Sequence, residues 1–487
     1  MSDVPRHDQV IVGAGFSGLG MAIRLDQEGK RDYVVLERGD DVGGAWWANT
    51  YPGCRCDVPS HLYSFSFAPN PRWTRTYSPQ REILEYLRDC SVRYGVRPRI
   101  QFGTELSAAH WQDDHWRLET SRGPLEARVL VLATGPLSAP ALPDLPGLDR
   151  FAGATMHSGY WDHDHDLTGE RVAVIGTGAS AIQFVPALQP QVGQMHVFQR
   201  TPPWLIPHTD RGVTGMERRL FAALPPAQLA VRASVYWARE ALVVGFMNPP
   251  VMRQIQRVAE WHLRRQVPDP GLREKLRPSY RMGCKRILLS NDWYPALSQP
   301  NVELVSDAIT EVREGSIVTA DGRERDVDTI IFGTGFLFND MPIADMVHGR
   351  GGRSLASAWN GTPEAYRGTT FAGFPNLFML IGPNTGLGHT SVVVMAEFQI
   401  EYVADALRVM DERRAAVVEV LPEAQSAYNA DVQKRLHGTV WTAGGCTSWY
   451  LDDKGRDTVQ WPGGTRRYRR LMERFDEAGY DLALAPA

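Results

Sequence analysis

Apolar positions along this chain fall into short runs closed by glycine turns, alternating with longer stretches of helical period, the pattern of a parallel α/β protein. The β-branched run Val10-Ile11-Val12 leads into a glycine turn and an amphipathic helix pattern, then into Tyr33-Val34-Val35-Leu36. A helix pattern covers Gln80 to Tyr94, and Trp116 to Thr120 with Ala127 to Gly135 predicts a small sheet. A proline-rich stretch from Pro136 to Pro146 predicts a linker. The strand–turn–helix–strand pattern then repeats, from Val172-Ala173-Val174-Ile175 to Met195-His196-Val197-Phe198. From about Met216 to Arg281 the alternation stops in favour of several helices, with arginines expected on a solvated face. Strand runs resume at Asn301 to Val305, Ser316 to Ala320 and Asp328 to Phe336. Phe378 to Asn384 is expected to return to the first unit, ahead of an amphipathic helix from about Ser391 to Met410.

Both glycine turns have the dinucleotide-binding form. The first is Gly13-x-Gly15-x-x-Gly18, with Glu37 22 positions after Gly15; the second is Gly176-x-Gly178-x-x-Ala181, with Arg200 the same 22 positions after Gly178. The first glycine permits the turn, the second lets backbone approach a pyrophosphate, and the third small residue lets helix pack on strand. A carboxylate at the second strand's end accepts hydrogen bonds from a ribose diol, whereas an arginine pairs with a 2'-phosphate. Two different dinucleotides are therefore expected, FAD or NAD at the first site and NADPH at the second.

At 487 residues the chain calls for roughly two to three domains. A formal net charge of -4 suggests no polyanionic partner such as nucleic acid. No run approaches the roughly 18 apolar residues of a membrane span; the most apolar helical piece, Ala241 to Met247, is too short. The first residues lack the apolar core of a signal peptide. Five cysteines do not make a disulfide framework, and Cys54 and Cys56 are too close to close a relaxed disulfide. A cytoplasmic protein is expected, as a monomer or weak homo-oligomer. His163 and His165 lack a clear set of companion ligands, so they read as a polar turn rather than a metal site.

Two loops narrow the chemistry. The segment Phe151-x-Gly153-x-x-x-His157-x-x-x-Trp161-Asp162 resembles the fingerprint of the Baeyer-Villiger monooxygenases at every specified position. Gly43-Gly44-x-Trp46 with Tyr51-Pro52-Gly53 and Asp57 resembles that family's second motif. Related flavin-containing monooxygenases of nitrogen and sulfur usually carry tyrosine where this chain has Trp161. The resemblance spans nearly the whole chain, but the residues after Trp449, Tyr450-Leu451-Asp452-Asp453-Lys454-Gly455, depart from the better-known members.

The resemblance implies an α/β fold of two Rossmann-like domains, for FAD and NADPH, with a helical insertion in the second. The expected division is 1–140 and 341–487 for FAD, the latter with the C-terminal segment, 141–215 and 291–340 for NADPH, and 216–290 for the insertion. It implies reduction of FAD by NADPH, addition of dioxygen to give a C4a-peroxyflavin, and insertion of oxygen beside a small-molecule ketone's carbonyl to give an ester or lactone, with sulfoxidation a side activity. Arg286 matches the active-site arginine, and Asp57 the carboxylate that holds it; a turn-capping Asp57 is the alternative. FAD would be met by Gly13, Gly15, Phe16, Ser17, Gly18, Glu37 and Arg38, by Gly44, Ala45, Trp46, Asp57 and Tyr63, and by Ala133, Thr134, Gly135, Gly382 and Asn384. NADP would be met by Gly176, Thr177, Gly178, Ala179, Ser180, Ala181 and Gln183, with Arg200, Thr201 and Lys285 clamping phosphate and Trp449 at the nicotinamide. His157 is expected to tie the linker to the domains rather than to react. Alternatives are a heteroatom monooxygenase, which Trp161 and Arg286 speak against, a disulfide reductase, which Cys54-x-Cys56 does not suit, and a dinucleotide sensor without turnover.

Overall fold

A computed structural model describes residues 4–484. Arg6–Val12 is the centre of the first sheet, pairing in parallel with Tyr33–Leu36 on one side and Gly123–Leu132 on the other. Val10 and Val12 pack into one apolar cluster and Ile11 into another. A strand's side chains alternate between faces, so a sheet covered on both sides requires the unbroken apolar run seen in the sequence. Gly123–Leu132 also pairs antiparallel with His115–Thr120 and parallel with Leu377–Met379. Residues 377–379 thus return to the sheet begun at residue 6, in an eight-stranded whole.

The second sheet has five strands, all parallel, in the order Val302–Val305, Gln194–Phe198, Arg171–Ile175, Thr329–Phe332, Ala154–His157. Its central run alternates in the same way, with Val172 and Val174 facing one cluster and Ala173 and Ile175 the other. The two units match in a finer detail. Gly13 has φ +106°, and a Cβ there would meet the Ala133 carbonyl oxygen at 2.6 Å; Gly176 has φ +108°, and a Cβ there would collide with the Gly333 carbonyl. Each turn is pressed against the end of a neighbouring strand by a contact only glycine permits.

Between the sheets' strands the chain inserts the helices Gly215–Ala223, Pro225–Glu240, Val243–Met247, Pro249–Gln266 and Pro270–Lys275. Thr214 and Glu217 close a capping box at the first of them. The arginines are not all on a solvated face. Arg232 turns inward and donates to the carbonyls of His61 at 2.8 Å and Ser64 at 3.0 Å, pinning the insertion to the loop after Asp57. Its pKa is lowered by burial and partly restored by Glu397. A guanidinium with its five donors is suited to this work, since bare carbonyls need donors and a buried cation needs acceptors.

Candidate active site

The first crevice is built at the C-terminal ends of Arg6–Val12 and Tyr33–Leu36. Glu37 follows the second of these and is buried; its Oε2 accepts from the Ala14 N–H at 2.7 Å and its Oε1 from the Gly39 N–H at 2.8 Å. The carboxylate therefore lies against the glycine turn, and each oxygen has a second lone pair for a ribose hydroxyl. No side chain caps the N-terminus of the Phe16–Gln27 helix, whose open N–H groups suit a pyrophosphate. The Gly43 N–H donates to the Ala14 carbonyl at 3.0 Å, which brings the Gly43-to-Asp57 loop over the turn. Trp46 Nε1 donates to the Tyr63 hydroxyl at 3.0 Å, and Phe16 meets Tyr63 edge-on with centroids 5.1 Å apart. Ala133, Thr134 and Gly135 follow the strand against Gly13.

The loop from Gly382 to Ser391 leads from Leu377–Met379, which pairs with Gly123–Leu132 of the first sheet, into the Val392–Arg413 helix. His389 is buried with Nδ1 unpartnered, its Nε2 lying 3.4 Å from Glu240, and Thr390 Oγ1 is buried without a partner. Such atoms are costly unless a ligand or water completes them, so the loop fits a polar ring system such as the flavin's pyrimidine edge. Two expected contacts are spoken for. Arg38 donates to the Ser138 carbonyl at 2.8 Å, and the Asn384 amide donates to the carbonyls of Asp457 at 2.8 Å and Gln460 at 3.1 Å. Both side chains hold the loops that shape the crevice.

Arg286 and Asp57 come together from 229 residues apart. Arg286 Nε lies 2.7 Å and one terminal nitrogen 2.6 Å from the same oxygen, Asp57 Oδ2. The Nε–H donates the hydrogen bond of the pair, and the terminal N–H groups remain to meet a ligand. Asp57 thus stands as the ion-pair partner of Arg286. Asp57 raises the Arg286 pKa further, against burial, so the guanidinium is charged at any working pH. Tyr450 is buried within the field of Arg286, its phenol pKa raised by burial.

One residue earlier, the Lys285 ammonium lies over the Tyr280 ring, 5.3 Å from its centroid. Its pKa is lowered first by burial and then by the charge of Arg200, which stands two residues beyond Gln194–Phe198. Among the described residues neither cation has a carboxylate partner, so two positive charges converge on space that an anion would fill. Thr177 Oγ1 donates to the Thr201 carbonyl at 3.2 Å, joining the second glycine turn to this corner. Gln183 departs from expectation. Its Oε1 accepts from the Tyr51 hydroxyl at 3.1 Å and the Arg55 N–H at 3.2 Å, and its Nε2 donates to the Arg55 carbonyl at 3.1 Å. It locks the Ala181–Leu188 helix to the loop carrying Asp57, a role visible only once both lie side by side.

Trp449 is 46% exposed and rests on Phe338, centroids 4.6 Å apart, while Asn339 donates to its carbonyl at 3.0 Å. His157, with a pKa lowered by burial, ends the edge strand of the second sheet; its Nδ1 accepts from the Gly159 N–H at 3.0 Å and its ring meets Phe336 edge-on. Trp161 packs on Phe184 with centroids 5.6 Å apart, and Phe151 packs against the second sheet's outer cluster. His163 and His165 bond to Thr50 and to Glu170 and Thr329. The expectation of no disulfide is corrected: Cys284, next to Lys285, is bonded to Cys446, three residues before Trp449. They lie 162 residues apart, a separation that counting cysteines cannot bridge.

Residues 10–214 match a family model described as pyridine nucleotide-disulphide oxidoreductase. Cys54, Cys56 and Cys90 are all free and buried, so the shared feature is the nucleotide fold and not a thiol pair in the first crevice. A Baeyer-Villiger monooxygenase of Streptomyces coelicolor is 50% identical over 494 aligned residues, 99% of this chain and 95% of that one. The chain belongs to the Baeyer-Villiger monooxygenases. Solved structures agree with the membership. An oxidized steroid monooxygenase bound to NADP is 32% identical, with 99% of this chain and 100% of that one covered at a TM-score of 0.88. OTEMO in complex with FAD and NADP is 28% identical, with 99% and 100% covered at a TM-score of 0.90. The departure after Trp449 therefore lies inside a Baeyer-Villiger fold that is otherwise shared from end to end.

Proposed function

We propose that this chain binds FAD in the crevice of Glu37 and NADPH in that of Arg200, and uses O2 to convert a small-molecule ketone to an ester or lactone, with sulfoxidation as a side activity. The observation that carries the reading is that two adjacent residues have different partners, Lys285 standing in the field of Arg200 and Arg286 bonded to Asp57. In this reading Lys285 and Arg200 take the 2'-phosphate, and Arg286 serves the reacting centre. Bound FAD supplies the hydride acceptor for NADPH and the centre that activates dioxygen. The chain's own groups do the rest. Glu37 accepts from the ribose, the open helix end and backbone of the glycine turn take the pyrophosphate, and His389 and Thr390 complete the pyrimidine edge.

Arg286 presents its terminal N–H donors to the negative charge that develops on the ketone oxygen. Asp57 is a positioning residue, fixing the plane of the guanidinium. Trp46, Tyr63 and Phe16 exclude water from the inner side, and Trp449 borders the nicotinamide and substrate. His157 couples the linker to the second sheet. The 1–140 and 341–487 segments form the FAD domain, 141–215 and 291–340 the NADPH domain, and 216–290 the insertion. We take the protein as a cytoplasmic monomer or weak homo-oligomer, in keeping with the modest net charge of -4; no helix among the described residues is long and apolar enough to cross a membrane.

Removal of one preorganised donor to a developing anion costs on the order of 3 kcal/mol, a hundredfold or more in rate. Arg286→Ala should therefore reduce its flavin with NADPH at a near-normal rate while ester formation collapses. Ester formation at the normal rate by that variant would refute the assignment. Cyclic ketones are the first substrates to try, since a cyclohexanone monooxygenase, 30% identical with a TM-score of 0.89, is among the solved structures this chain resembles.

A further inference from the structure

We propose that Cys284 and Cys446 are a reversible oxidative modification site that clamps the loop of Lys285 and Arg286 to the segment of Trp449, so that thiol oxidation tightens the hold on NADP. The proposal rests on the functional reading above for what the two segments do. It rests on geometry for the clamp itself.

The two cysteines have Cα atoms 6.2 Å apart, and each is within three residues of a site residue. Their approach depends on Gly444, where a Cβ would meet Cys284 Cβ at 2.5 Å. Without the S–S bond, the backbone hydrogen bond between these segments is the Arg281 N–H on the Gly444 carbonyl, at 3.0 Å. In the bonded structure the Cys284 sulfur lies 3.9 Å from the Trp441 carbonyl, a weak acceptor already beside it for the thiol that reduction would free. Both states are thus accommodated, but only the disulfide covalently limits how far Trp449 can swing from Lys285. Conformational freedom in a segment that a ligand must order lowers affinity, and a cross-link removes part of that cost before binding.

Exposure makes the chemistry selective. Cys284 is fully buried, whereas Cys446 is half-buried between the exposed Gly445 and Thr447. The other three cysteines are buried, and burial pushes their thiols up, Cys54 to about 12, Cys90 to about 11 and Cys56 well above its ordinary value. They are poor nucleophiles, because the thiolate is the reactive form. The oxidant is hydrogen peroxide. The Cys446 thiolate attacks one peroxide oxygen, the O–O bond breaks, and the departing hydroxide takes a proton to become water, leaving a sulfenic acid. The Cys284 thiol, held beside it by the fold, gives up its proton as its sulfur attacks, the S–O bond breaks, and the departing hydroxide takes that proton to leave as a second water. Two thiols are oxidised by two electrons in all, and one peroxide is reduced to two waters. A small dithiol reverses the step by exchange, being itself oxidised to a disulfide.

The test uses FAD-loaded full-length protein, treated with dithiothreitol or with hydrogen peroxide and then freed of reagent. Peptide mass analysis after alkylation reports the thiol state, and titration with NADP, followed by the flavin absorbance change, reports affinity. Expected are a linked Cys284–Cys446 peptide after peroxide and its loss after dithiothreitol, with roughly fivefold weaker NADP binding in the reduced form. Cys446→Ser should bind like the reduced form under both treatments. The proposal is overturned if peroxide yields no linked peptide, if affinity is the same in both thiol states, or if Cys446→Ser still responds. None of these readouts requires an ester to form, so an enzyme that made no ester but kept the thiol response would count against the proposed reaction and leave the clamp standing.

Discussion

Replacing Lys285 with alanine should change which coenzyme is used rather than whether one is. The ε-ammonium and the Arg200 guanidinium have no acidic partner among the described residues, and burial together with Arg200 lowers the lysine's pKa. A 2'-phosphate entering that corner would relieve the repulsion and form charge-assisted hydrogen bonds, each contributing about 2 kcal/mol where partly shielded from water. At about 1.4 kcal/mol per decade, Lys285→Ala should raise the KM for NADPH roughly thirtyfold. NADH lacks the phosphate, so its KM should change less than about threefold, the scale of an ordinary surface substitution. Anaerobic flavin reduction with each coenzyme, monitored by stopped flow, separates the two. The pH profile gives an independent reading. Lysine must be charged to hold phosphate, so NADPH affinity should fall as pH rises through a lysine pKa below the ordinary range, while NADH affinity stays flat. Lys285→Arg should remove that fall, because guanidinium does not titrate there. Equal loss toward NADPH and NADH in Lys285→Ala would refute the phosphate clamp.

Other substitutions probe the rest of the site. Asp57→Ala leaves Arg286 charged but free to rotate, and should cut ester formation on the order of a hundredfold with flavin reduction retained; flavin reduction lost in step with ester formation would argue that Asp57 serves the fold instead. Gln183→Ala breaks the interlock with Tyr51 and Arg55, and thermal melts should show a loss of about 2 kcal/mol from buried groups left unpaired. Asp457 is fully buried with Oδ2 unpartnered, and burial pushes its pKa up to about 7. A raised folded pKa stabilises the fold at low pH and loses that contribution as pH rises from the unfolded value near 4 through 7. Asp457→Asn should therefore gain stability relative to the parent at pH 8 but not at pH 4, a difference read from melting temperatures at the two pH values.

What the sequence made legible is what the backbone encodes locally. Gly13 and Gly176 are fixed by turns, Glu37 and Arg200 by the ends of strands, and the apolar runs by sheets covered on both faces. Each needs only a short window. Asp57 and Arg286 were legible through the motifs around them, although their 229-residue separation hides the contact itself. Contacts that exist only after folding were not legible. Gln183 reads as a nucleotide contact and Arg232 as a solvent-facing residue until the Gly43-to-Ser64 loop is laid against them. Phe338 gives no local signal of its place under Trp449. Cys284 and Cys446 carry no spacing rule, and it is the return of the C-terminal segment over the Lys285 loop that makes them neighbours.

The central claim is that the charge held between Asp57 and Arg286 serves oxygen insertion beside a carbonyl. The most direct measurement is turnover of the FAD-loaded protein with NADPH, heavy-isotope dioxygen and a panel of cyclic ketones, with products analysed by mass. The account predicts a lactone carrying one heavy oxygen in its ring, in proportion to NADPH consumed, and almost none from Arg286→Ala. NADPH consumption that ends wholly in hydrogen peroxide across the panel, while an amine or sulfide in the same assay is oxidised efficiently, would contradict it.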